Sequence, residues 1–170
     1  MELIQTYTVT AEENNIVIGN IPNTFRHLLY QQIIKTPVTN AAVYHNLILN
    51  NDSGANYGRQ QMYGYGSATN QLINTRPLSA DSIINGCGID HNHFAFMETV
   101  IFDYKGSTFK NILSKGGGSG VAGTTASNNS SQNFYFANIW QNTSAVTSIK
   151  NVATSGNYAV GTTFILWGLE

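Results

Sequence analysis

Short runs of β-branched and aromatic residues, each cut off by Asn, Gly, Ser or Pro, recur along the whole chain. That punctuation leaves little room for helices and is the pattern of an all-β sandwich or barrel. Eleven segments read as strands: 2–10, 15–20, 24–36, 42–50, 59–66, 82–85, 93–104, 108–113, 133–141, 145–152 and 158–169. Period-two alternation places Phe25, His27, Leu29 and Ile33 on one face of the third, and Val43, His45, Leu47 and Leu49 on one face of the fourth. In the last, Tyr158, Val160, Phe164 and Leu166 face one way and Ile165, Trp167 and Leu169 the other, so it reads as covered on both sides. With 170 residues, a single domain over 1–170 is expected.

Composition narrows the function. Asn is the commonest residue and only 10% of residues are charged, so polarity is carried by amides and hydroxyls suited to turns and exposed strand faces. The net charge is −1 and the Lys and Arg residues form no basic run, which argues against nucleic acid as a partner. The amino-terminal MELIQTYTVT has an early acid and no apolar core, so neither a signal peptide nor membrane insertion is expected. The lone Cys87 has no intramolecular disulfide partner and reads as a small hydrophobe.

Two segments stand out for opposite reasons. HFAFMETVIFDY, from His93 to Tyr104, is apolar on both parities, so it lies centrally in a sheet or meets a partner chain on one face. KGGGSGVAGTTASNNSS, from Lys115 to Ser131, has no periodicity and reads as a long Gly/Ser/Asn loop over 114–132. Its GxGxxG match at Gly118, Gly120 and Gly123 is not followed by a helix, so no nucleotide is expected and no cofactor is assigned.

The chemistry-bearing residues are few. CGIDHNHF gathers Cys87, Asp90, His91 and His93, a weak metal candidate that His27 or His45 would have to complete through the fold; a turn with solvated histidines is the simpler reading. Asp52, Asp81, Asp90, Glu98 and Asp103 lie mid-chain, but no spacing fixes a pair for glycoside cleavage, so no catalytic residue is assigned and the chain is read as a non-enzyme. Glu98, set in the apolar run, would need a partner if buried. NNDSGANYGRQQMYGYGS, residues 50–67, carries Tyr57, Tyr63 and Tyr65 among amides: either ordinary strand residues or a platform for sugar or protein. Phe94, Phe96, Trp140 and Trp167 complete the set of interface or glycan-contact candidates.

Four stretches, IPNTFRHLLYQQIIKT (21–36), LILNNDSGANY (47–57), ETVIFDYKGSTFKNILSKGG (98–117) and WQNTSAVTSIKNVATSGNYAVGTTFILWGL (140–169), resemble in the same order a family of tailed-phage virion proteins. That family carries an I-P-x-T-[FY]-x-H-L strand, an N-x-D-[ST]-G-x-N-Y turn and a closing strand pair ending in F-x-L-[YW]-G. The insertion at 115–131 is long for the pattern, and Trp167 stands where Tyr is usual. The resemblance implies a virion structural protein on the particle exterior, made in the host bacterial cytoplasm, and brings no catalytic residues with it. Combined with the strand pattern, it leads to an antiparallel, jelly-roll-like β-sandwich that forms a symmetric oligomer, with a homotrimer expected.

Two roles fit that expectation. The first is a capsid decoration or cement protein binding the major capsid protein, favoured because the chain carries no coiled-coil shaft. The second is a tail-fibre or receptor-binding module holding a host surface glycan. A virion-associated glycan hydrolase is a weaker third.

Overall fold

The computed structural model describes residues 1–37, 44–65, 68–80, 83–84, 93–120 and 130–170. Among them there is no helix, and the strands are β1 (Glu2–Thr8), β2 (Asn15–Ile18), β3 (His27–Ile34), β4 (His45–Leu49), β5 (Tyr57–Tyr65), β6 (Ala68–Ala80), β7 (Ile83–Ile84), β8 (Ala95–Ile101), β9 (Lys110–Gly120), β10 (Ser130–Trp140), β11 (Ile149–Ala153) and β12 (Thr163–Leu169). They form an eight-stranded sheet in the order β1-β12-β3-β8-β9-β10-β5-β6 and a four-stranded sheet in the order β2-β11-β4-β7, all neighbours antiparallel.

The connectivity becomes plain once the hairpins β5–β6 and β9–β10 are set aside. What remains is β1-β12-β3-β8 in one layer and β2-β11-β4-β7 in the other, with the chain crossing between layers at almost every connection. This is a jelly roll, as the sequence predicts. The two hairpins pair with each other through β10 and β5 and extend the larger layer beyond β8.

One cluster of buried side chains joins the two layers. Leu28, Tyr30 and Ile34 of β3, Met97 and Ile101 of β8, and Phe164 and Leu166 of β12 meet Leu47 and Leu49 of β4, Ile149 of β11 and Ile16 and Ile18 of β2. Burying an apolar side chain of this size contributes about 1.5–3 kcal/mol, so the alternating inner face is the main source of stability. A hydrogen bond crosses the layers, from the Asn151 Nδ2 to the Tyr30 hydroxyl at 2.6 Å.

The expected strand set holds with three corrections. β6 has no counterpart among the expected strands. Its sequence is polar, contains Pro77 and lacks apolar alternation, which an edge strand tolerates because one side of its backbone needs no partner. The stretch expected as loop over 114–132 is strand at both ends, since β9 continues to Gly120 and β10 begins at Ser130; residues 121–129 lie outside the described set. Glycines have poor strand propensity, but here they are held by a ladder on both sides, and a Cβ on Gly116 would lie 2.2 Å from the Phe96 carbonyl oxygen. In β3, His27, Leu29 and Ile33 share one face, as the alternation places them, and that face is the outer one, the core taking Leu28, Tyr30, Gln32 and Ile34. In the closing segment, Val160 is exposed and Ile165 and Trp167 are only half-buried, so β12 is covered on one face rather than both.

Candidate interaction surface

The residues that look most chemical in the sequence are used to hold the fold. In the β4–β5 turn, Asn50 and Asn51 take the left-handed conformation that Asn tolerates (φ 51° and 54°). The Asn50 Oδ1 accepts the backbone N–H groups of Thr147 (2.8 Å) and Ser148 (3.2 Å), and its Nδ2 donates to the Ala145 carbonyl at 2.7 Å. Asp52 accepts the Trp140 indole N–H at 2.8 Å, the Gly54 N–H at 2.9 Å and the Asn56 amide at 2.9 Å. Burial pushes the Asp52 carboxyl upward, but these hydrogen bonds, led by Trp140, hold it below its ordinary value. The turn is therefore a clasp between the β4–β5 and β10–β11 connections.

Tyr57 and Trp140 belong to the same clasp. Both are buried, at 1% and 0% exposure; their rings stack at 6.3 Å, and the Leu49 N–H donates to the Tyr57 hydroxyl at 3.0 Å. Neither is a surface contact residue, which corrects the expectation for both: each ring carries one polar atom, and the fold supplies its partner. Phe25 behaves similarly, lying against Gly168 so closely that a Cβ there would be 2.1 Å from the ring.

The other titratable groups with a described setting are structural too. His45 is buried against Tyr158 (ring centroids 5.1 Å), and neither of its nitrogens has a hydrogen-bond partner among the described residues. Burial pushes its pKa down to about 3, so it is neutral in the folded chain. Lys110 is buried on the inner side of β9 and donates from Nζ to the carbonyls of Gly106 (2.6 Å) and Thr108 (2.5 Å); burial lowers its pKa against an opposing pull from Asp103. The Asp103 N–H donates to His27 Nδ1 at 2.9 Å.

The outer face of the eight-stranded sheet is the reverse case: apolar side chains stand in water. The register aligns them in rows. One row crosses six strands as Leu3, Trp167, Leu29, Val100, Leu113 and Ala137. A parallel row brings Ile33 beside Phe96. Exposure reaches 52% at Phe94, 43% at Phe96, 47% at Leu113 and 50% at Tyr135. The Lys35 Nζ sits 5.6 Å from the Phe94 ring centre.

Between the apolar rows runs one polar rung, Ile165, Gln31, Glu98, Lys115, Tyr135 and Met62. Its polar members satisfy one another in series. The Trp167 indole N–H donates to Gln31 Oε1 at 3.0 Å, the Gln31 Nε2 lies 3.4 Å from Glu98 Oε2, and Lys115 Nζ is 3.0 Å from Glu98 Oε1. Glu98, the acid that had to find a partner, finds it across the ladder. Among the described residues, the two charges at the centre of the face are thus paired with each other, and it carries little net charge.

Of the residues singled out in the sequence, Phe94, Phe96 and Trp167 lie on this face, and Tyr57 and Trp140 lie in the core. The backbones of Tyr63 and Tyr65 pair with Phe134 and Gln132 of β10, and their side chains fall outside the described residues. Asp90, His91 and Cys87 also fall outside them. Among the described residues there is no group of three His, Cys, Asp or Glu placed to hold a metal. Leu113, Tyr135, Lys115 and Gln31 were not singled out. For Gln31 a signal was present, since 24–36 and 158–169 carry apolar residues on both parities, as 93–104 does, and these strands become neighbours; Leu113, Lys115 and Tyr135 lie on β9 and β10, whose own segments carry no such signal. No protein-family model and no curated protein matches the chain.

Proposed function

We propose that this chain is a structural protein of a bacteriophage virion, displayed on the particle exterior and acting by protein–protein contact, as a capsid decoration protein that reinforces the shell. The observation that carries the contact-based reading is the outer sheet face: a broad apolar surface with an internally paired polar rung, built on the most extensively laddered part of the molecule. Of the five mid-chain acids, Asp52 is engaged in the clasp and Glu98 with Lys115, while Asp81 and Asp90 lie outside the described residues. The virion setting comes from the resemblance of the IPNTF, NNDSGANY and FILWGL stretches to tailed-phage proteins, and each of these stretches has a packing role here. Phe25 covers Gly168, and Asp52 clasps Trp140.

A receptor-binding module is the second reading. Exposed Tyr135 stands on the outer face beside Met62 and near Asn133 and Gln60, an aromatic ring among amides of the kind sugars stack on. The copy number of the chain per purified particle, measured by quantitative mass spectrometry, separates the two. Decoration requires a number comparable with that of the major capsid protein. A number comparable with that of the tail fibres overturns decoration, and Tyr135→Ala should then weaken glycan binding.

A further inference from the structure

We infer that the outer face of the eight-stranded sheet is where two copies of this chain pack together, about a two-fold axis running parallel to the strands between β8 and β9. The inference rests on the reading that this face works by protein contact, and names the partner.

Size is the first reason. Among the described residues, seven large apolar side chains on this face are 37–52% exposed, Phe96, Leu113 and Tyr135 among them. About half of such a side chain is on the order of 100 Å², so the face presents roughly 700 Å², close to the ~800 Å² that each partner in a standard stable interface buries and more than an ordinary monomer patch of about 300–600 Å².

Charge placement is the second. Glu98 and Lys115 are register partners on adjacent strands at the centre of the face. Turning one copy over onto another about an axis between β8 and β9 sets Glu98 of each copy over Lys115 of the other. The same operation sets Val100 over Leu113 in both directions, because these two are also register partners. The contact is isologous and closes on itself, so it does not propagate into a filament. The four charges alternate in sign around the axis. They add little net affinity once desolvated but penalise any slipped register. A three-fold ring needs two different surfaces that fit each other; a single self-matching face fits the two-fold arrangement better than the expected trimer.

The test is sedimentation velocity of the full chain and its variants, with circular dichroism to confirm that each folds. The wild type should sediment with twice the 18.5 kDa chain mass. Leu113→Asp should sediment as a single chain with an unchanged spectrum. Glu98→Lys and Lys115→Glu should each weaken self-association by about tenfold or more, because like charges then face each other across the axis. An equimolar mixture of those two variants should recover the two-chain species, since each then meets its opposite. A wild type that stays a single chain, a three-chain mass, or a mixture no tighter than its components overturns the inference. A single-chain protein found in shell-like numbers on particles would overturn this inference alone, whereas a two-chain protein absent from particles would overturn the virion reading alone.

Discussion

The β4–β5 turn and the outer face of the large sheet invert the usual association of polar groups with function and apolar groups with the interior. In the turn, Asn50, Asp52 and Asn56 spend their side chains on backbone groups, on Trp140 and on each other, so polar residues act as packing. On the sheet, Phe96, Leu113 and Tyr135 stand in solvent while Glu98, Lys115 and Gln31 neutralise one another between them, so apolar residues form the contact surface. The difference follows from geometry. A turn has unpaired backbone groups that must find partners, and short amide and carboxylate side chains reach them. A central strand has its backbone fully paired, so its outward side chains are free to serve something outside the chain.

That contrast can be broken in order of effect. Trp140→Ala removes the centre of the clasp and should cost about 3–5 kcal/mol of folding stability, read as the shift in urea midpoint at constant slope. If the loss were below about 1 kcal/mol, the turn would not be the pin described here.

Acid should come next. The unfolded chain protonates His45 near pH 6.5, whereas burial delays protonation of the folded chain to about 3. Stability from this residue is therefore whole above the unfolded value and drains away as pH falls through that window. The loss at pH 5 should be about 2 kcal/mol. His45→Leu should flatten that part of the stability–pH profile, and an unchanged slope would remove His45 as its source.

Asp52→Ala should cost about 1–3 kcal/mol by leaving the buried Trp140 indole N–H without an acceptor. Asp52→Asn keeps an acceptor and should cost less; equal losses would mean that the charge, rather than the acceptor, carries the interaction. The smallest effect belongs to the sheet. Leu113→Ser should change the stability of the single chain by no more than about 0.5 kcal/mol, because the side chain already stands half in water. A large loss there would make the outer face part of the fold and not a free surface.

Much of the architecture was legible in the strand pattern, and the illegible parts have identifiable causes. β6 was hidden because its pairing with β5, rather than its own polar residues, makes it a strand. β9 was cut short because glycine carries no propensity signal, although Gly116 is required where Met97 and the Phe96 backbone approach. In β3 both parities are apolar, so alternation could not say which side faces the core. The candidate surface was half visible: Phe94, Phe96 and Trp167 could be named, but nothing local announced that Tyr57 and Trp140 would be buried while Leu113 and Tyr135 would not.

By itself the sequence determined the all-β class, the positions of most strands and the poverty of reactive groups, because these follow from residue type and short-range spacing; the jelly-roll-like layering was implied by the resemblance taken with the strand pattern. Only the tertiary structure decided which face of each strand is inside, that Asp52 and Trp140 meet, and that Leu3, Trp167, Leu29, Val100, Leu113 and Ala137 form one row. Those facts depend on register between strands far apart in the chain. Register is a property of pairs, set by how the two layers close over a shared core, and no single segment contains it.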